Sequence, residues 1–225
     1  TKEILPKNTA LIGFAGAPWT VATYMLEGKT GTKSDFKFSK NIAEKEPEFL
    51  DNLINIIIAQ TIPYLIGQID AGAEIIQLFD SWAGVLAHKE YKRFVEAPTR
   101  KMVSELRKQR PDVKIICFPK GINTNLEEYR ANILPDAISL SPNVTMIEAK
   151  ELQKSVVVQG NLDPIILTKD KETIRAETEK ILSNLAGENF IFNLGHGILP
   201  QTPIDNVEFL VNLVRNYEKN SSNII

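Results

Sequence analysis

The 225-residue chain is poor in the residue types that most often announce chemistry: it has one cysteine, two histidines and two tryptophans. The cysteine, Cys117, sits in the apolar run 115–118. A single thiol excludes an intrachain disulfide and a cysteine-rich four-ligand zinc site, and it fits a reducing, cytoplasmic compartment. Neither charge sign is in surplus: 26 Lys and Arg stand against 28 Asp and Glu, a net charge of -2. With those cations scattered along the chain, no nucleic-acid partner is expected. No uninterrupted apolar window of about 18 residues stands out. Residues 1–8 have neither the basic start nor the apolar core of a signal peptide, so no membrane partner is expected either. Dinucleotide, P-loop and nucleophile-elbow patterns are all missing. The first residue, Thr1 rather than Met, reads as a sign of processing or truncation.

What is present is an alternation. Short β-branched runs at 10–15, 74–79, 114–118, 137–140, 155–159 and 189–194 are separated by stretches of helical period, the pattern of βα units around a parallel sheet. The clearest helix is expected over 47–69, kinked at Pro63, with Phe49, Leu53, Ile56, Ile57 and Leu65 as its apolar face. Further helices are expected over 91–110 and 171–185, the latter closed by Gly187. A last one is expected to start at Thr202-Pro203 and turn Val207, Leu210, Val211 and Val214 inward, followed by a polar tail over 216–225. No repeat or linker interrupts the pattern, so residues 1–225 read as one domain.

In parallel α/β folds the chemistry gathers in the loops after the strands' C-terminal ends. Four such loops carry unusual residues. The first, Phe14-Ala15-Gly16-Ala17-Pro18-Trp19-Thr20, sets small residues between aromatics, which suits close backbone approach to a flat ligand and equally a plain strand-to-helix turn. Tyr24 follows on the helix this loop opens; it is either a hydroxyl over the rim or a half-buried aromatic. In Asp80-Ser81-Trp82, the carboxylate and hydroxyl are ligand contacts or a helix N-cap. The third loop is Gly160-Asn161-Leu162-Asp163-Pro164. In the fourth, His196 stands between two glycines with an imidazole suited to acid-base or carboxylate-binding work. His88, before a helix, reads as a solvated surface residue.

Taken in order, Gly-Phe-Ala-Gly-Ala-Pro-Trp-Thr with Tyr24, Gln77-Leu-Phe-Asp-Ser-Trp-Ala-Gly, Gln159-Gly-Asn-Leu-Asp-Pro and Asn193-Leu-Gly-His-Gly resemble the uroporphyrinogen decarboxylase family over nearly the whole chain. The resemblance implies a (β/α)8 TIM barrel, here without its first two βα units, and a homodimer in the full-length family. It implies a carboxy-lyase that converts the four acetate side chains of uroporphyrinogen to methyl groups, giving coproporphyrinogen, with neither a metal nor an organic cofactor. The family's contacts carry over onto Tyr24, Ser81 and His196 for the substrate, with Tyr24 and His196 as catalytic candidates. Phe14, Gly16 and Ala17 would line the macrocycle pocket.

The family's arginine motif and the aspartate that balances the cationic intermediate belong to its first two strands, so this chain alone is expected to be inactive. It is also expected to carry open sheet edges. Ser139-Leu-Ser-Pro-Asn-Val departs from the family's usual Asp-Trp-Thr. Two other readings are a zinc-dependent corrinoid methyltransferase of the same superfamily, disfavoured because the thiolate ligands are missing, and a non-catalytic fragment of a split gene.

Overall fold

The computed structural model describes residues 1–28, 35–122, 125–187 and 189–217; the end of the expected polar tail lies outside them. The chain falls into two compact units, Thr1–Ile138 and Ser139–Ile225, each described by itself.

The first unit runs β1 (Ile12–Gly16), α1 (Pro18–Glu27), α2 (Lys37–Lys45), α3 (Pro47–Asp70) and β2 (Ile75–Asp80). It continues through α4 (His88–Tyr91), a π turn, α5 (Ala97–Gln109), β3 (Lys114–Pro119) and α6 (Leu126–Ile133) into β4 (Ala137–Ser139), whose last residue opens the second unit. The strands pair in parallel in chain order, with Phe14 opposite Gln77, Phe79 opposite Phe118 and Ile116 opposite Ala137. The expected strand positions are met to within two residues at each end. His88 is exposed as expected, although it opens α4 rather than lying in a loop.

The long helix α3 corrects one expectation. With Pro63 inside it, the helix buries Leu50, Ile54, Ile57, Ile58, Ile62 and Leu65, while Phe49 and Ile56, expected on its apolar face, are exposed. Apolar side chains occupy almost every position from 53 to 58, so spacing alone does not choose a face; the packing partners, α1, α5 and β1, choose it. The same richness gives α3 the length and apolarity of a membrane-crossing helix, which the reading of the sequence missed. Gln68 on α3 meets the outer edge of β1. Its Oε1 accepts the Phe14 backbone N–H at 2.8 Å and its Nε2 donates to the Phe14 carbonyl at 3.0 Å, so one residue of that edge is covered by a side chain.

In the second unit the Leu140 N–H donates to the Gln159 carbonyl at 2.7 Å, continuing the ladder to β5 (Val157–Gln159). That strand pairs in parallel with β6 (Phe190–Ile191), with Val158 opposite Phe190. The strand expected over 189–194 is cut to two residues plus a bridge between Leu162 and Leu194. Its partner leaves extended geometry at Gly160, where φ is 132°. Helices α7 (Met146–Gln153), α8 (Lys171–Leu185) and α9 (Ile204–Arg215) complete the unit.

α9 starts one residue after Pro203, and only Leu210 is buried; Val211 is exposed, because this 12-residue helix meets the unit along a narrow strip. α7 opens on a reciprocal cap in which Thr145 Oγ1 accepts the Glu148 N–H and Glu148 Oε2 accepts from the Thr145 backbone and hydroxyl. Those bonds hold the Glu148 carboxyl below its ordinary value. Thr145→Ala removes the cap and is expected to lower stability by about 1 kcal/mol in urea unfolding.

Candidate functional site

The rim of the first unit is built where β1, β2 and β3 end. Phe14, Phe79 and Phe118 share one face of these strands by the two-residue period. Their rings step across it edge to face, with centroids 5.9 Å apart for Phe14 and Phe79 and 6.2 Å for Phe79 and Phe118. Phe14 is 59% exposed and ends the ladder on its open side. The sequence reading singled out Phe14 but neither Phe79 nor Phe118. The signal was available, because each is the last residue of its apolar run, but only the register shows that they line up.

The small residues beside Phe14 turn out to serve packing. Ala17 is fully buried and its N–H donates to the Phe79 carbonyl at 2.9 Å, so it offers no surface to a ligand. A Cβ on Gly16 would stand 2.8 Å from Val21 Cγ2, which explains the glycine without a ligand. The helix that follows is stapled to the loop after β2. Trp19 Nε1 donates to the Trp82 carbonyl at 2.9 Å, the Trp82 N–H donates to Thr20 Oγ1 at 3.2 Å, and Thr20 Oγ1 donates to Asp80 Oδ1 at 2.6 Å.

Asp80 is therefore not an N-cap, and neither is Ser81: the 3-10 turn Ala83–Val85 starts from Trp82 with no side-chain cap. Asp80 points to the opposite face from Phe79, toward the helices, near Cys117 and Tyr129. Burial pushes its carboxyl up to about 7 against the opposing Thr20 hydrogen bond, and its Oδ2 has no partner. Burial also pushes the Cys117 thiol up to about 12 and Tyr129 well above the usual phenol range. This buried trio is structural, not a reactive centre.

Ser81 is half-buried between Asp80 and Trp82. Tyr24, 41% exposed, sets its ring edge-on to Trp82 at 6.4 Å, and Phe36 packs on the same indole at 4.9 Å. The first unit thus sets Phe14 in β1 and Ser81 just after β2, with Tyr24 against the Trp82 that follows Ser81.

In the second unit His196 is exposed, and its Nδ1 accepts the Gly197 N–H at 2.7 Å. In the neutral ring that arrangement leaves the proton on Nε2, a donor suited to a carboxylate. A Cβ on Gly195 would stand 2.7 Å from the Pro142 backbone nitrogen, so that glycine serves contact with the neighbouring loop. The Gly160–Pro164 motif is likewise architectural. Asn161 Nδ2 donates to the carbonyls of Ser141 and Val144, tying down the loop after β4, and Asp163 Oδ1 accepts from the Ile165 N–H to start a 3-10 turn.

A parallel α/β chain of βα steps, with its polar and aromatic residues gathered at strand C-termini, is an enzyme-type barrel fold. A solved methyltransferase from Methanosarcina mazei has that fold, with a TM-score of 0.73 over 94% of this chain and 60% of its own, at 20% identity. The family profile described as Uroporphyrinogen decarboxylase (URO-D) matches residues 1–217. The Rickettsia bellii protein of that name is 49% identical over 217 residues, 96% of this chain, and the Rickettsia massiliae protein is 47% identical over 99% of it. The chain belongs to the uroporphyrinogen decarboxylase family. It spans 63% and 64% of the length of these two relatives.

Proposed function

We propose that the protein serves the decarboxylation of uroporphyrinogen to coproporphyrinogen in haem synthesis, as a cytoplasmic and, in its full-length form, homodimeric enzyme. The observation that carries this reading is the rim of the first unit, where β1, β2 and β3 end in an aromatic ladder fit to pack on a macrocycle and the loop after β2 carries Ser81 and the Trp82 that Tyr24 meets edge-on. In the reaction a pyrrole carbon takes a proton and the bond to the acetate carboxylate then breaks. Its electron pair flows into the ring as carbon dioxide leaves, and a second protonation at the exocyclic carbon gives the methyl group as the ring loses the first proton. Each acetate therefore consumes one proton net, and the pyrrole itself acts as the electron sink.

The chain's residues bind and orient in this scheme. Tyr24 and Ser81 donate to substrate carboxylates, and His196 offers Nε2–H to a carboxylate or to the proton-transfer step. The test is product analysis after incubating uroporphyrinogen with the chain, alone and mixed with the part of the Rickettsia bellii protein outside the match. Coproporphyrinogen is expected from the mixture, with a fall of roughly 10²-fold or more for His196→Asn or Tyr24→Phe. A folded mixture that makes no coproporphyrinogen overturns the reading.

A further inference from the structure

Lys120 follows β3 and is a cation of the first unit's rim, among the described residues, that neither the motifs nor the family resemblance singled out. Its backbone is fixed on both sides. The Lys120 N–H donates to the carbonyls of Asp80 and Phe118 at 3.1 Å, and its own carbonyl accepts the Gly84 N–H at 3.1 Å. This clamp requires glycine at 84, where a Cβ would stand 1.8 Å from the Gly121 carbonyl oxygen. The side chain then lies over the indole of Trp82, with Nζ 5.5 Å from the ring centroid. That is the same indole that Tyr24 meets edge-on, on the residue next to Ser81 in the chain.

Among the described residues the surroundings supply no counter-charge. Lys120 is half-buried, and no carboxylate among the described residues pairs with it. Burial alone holds its ammonium below the ordinary lysine value, with no opposing charge to raise it. The Trp82 indole N–H is a further buried donor without an acceptor among the described residues. The other rim groups here, Ser81 and Tyr24, bring hydroxyls and no negative charge. A cation kept partly out of water without an anion is unfavourable unless a ligand completes it, and cation–π contact with Trp82 offsets only part of that cost.

The geometry points to Lys120 as a carboxylate-binding residue of the rim, receiving one acidic side chain of a polycarboxylated macrocycle beside Trp82, Tyr24 and Ser81. This rests on the porphyrinogen reading above and adds to it a cationic contact supplied by this chain itself. The ligand's carboxylate completes the ion pair that the protein leaves open, while the macrocycle extends along the Phe14, Phe79 and Phe118 ladder.

The test uses uroporphyrin, a stable octacarboxylate, titrated into the chain and followed by porphyrin fluorescence anisotropy. Lys120→Met is expected to weaken binding roughly 10-fold or more, the effect of losing one charge-assisted contact. Lys120→Arg is expected to stay within a few-fold of the unsubstituted chain. Lys120→Met should unfold at the same temperature as the unsubstituted chain or higher, because it removes an unpaired cation from a half-buried place; a purely structural lysine would lower it. If Lys120→Met binds uroporphyrin as tightly as the unsubstituted chain, the inference is overturned and the porphyrinogen reading stands. If the unsubstituted chain does not bind uroporphyrin at all, the inference falls, while the porphyrinogen reading is decided by the product analysis of the mixture.

Discussion

Asp80→Asn is expected to remove a pH dependence of folding that the unsubstituted chain shows between about pH 4 and pH 7. In the folded chain the Asp80 carboxyl is pushed up to about 7 by burial, against 3.8 as its ordinary value. The folded state therefore holds the proton over a window in which the unfolded state has lost it. Stability is greatest below pH 3.8, falls as pH rises toward 7 and is flat above, with a total difference of about 4 kcal/mol for a shift of this size. The amide keeps an oxygen to accept from Thr20 Oγ1 and mimics the protonated acid in shape. The two proteins should thus be close in stability at low pH and separate by about 3 kcal/mol more between pH 5 and pH 8, with the variant the more stable. The neighbouring Cys117 and Tyr129 do not confuse the measurement, because burial pushes both above this window. Urea unfolding of both proteins at several pH values measures the separation. Parallel curves would mean that Asp80 is ionised in the folded chain, balanced by something its surroundings do not display.

The same residue shows where the sequence was legible and where it was not. The alternation of β-branched runs and helical stretches located all six strands, because a parallel sheet buried on both faces leaves little freedom in composition. It could not choose the buried face of α3, where apolar residues at 53, 54, 56, 57 and 58 leave the period ambiguous. It located the loops at 14–20 and 80–84 but misread their contents. Asp80 looked like a ligand contact or a cap, yet a strand's two faces are one residue apart, and the register turns Asp80 to the helices and Phe79 to the rim. Ala17 looked like space for a ligand but is fully buried with its N–H on the Phe79 carbonyl, and the glycine at 16 also has a packing reason in Val21. Lys120 gave no signal, since one lysine after an apolar strand is ordinary. Only its position over Trp82, without a carboxylate partner, distinguishes it.

Gly84→Ala should be the most damaging small substitution at this rim. The added Cβ would lie 1.8 Å from the Gly121 carbonyl oxygen and 2.3 Å from its carbonyl carbon. Both are backbone atoms, so no side chain can swing aside, and the two loops must separate. Separation breaks the hydrogen bond from the Gly84 N–H to the Lys120 carbonyl and strains the bonds that the Lys120 N–H makes to Asp80 and Phe118. Overpacking of this kind together with a lost hydrogen bond amounts to about 3 kcal/mol or more. Gly121→Ala is the control on the other side of the contact. Its φ of 68° carries the left-handed penalty of about 1 kcal/mol, but a Cβ there meets nothing within 4 Å, so the loops stay together. Urea unfolding should rank the two variants in that order, and emission from the chain's two tryptophans should shift for Gly84→Ala and stay constant for Gly121→Ala, because Trp82 belongs to the loop after β2 and Trp19 on α1 donates to its carbonyl. If the two variants behave alike, the loops are not in backbone contact, and the clamp that places Lys120 beside Trp82 does not exist in solution.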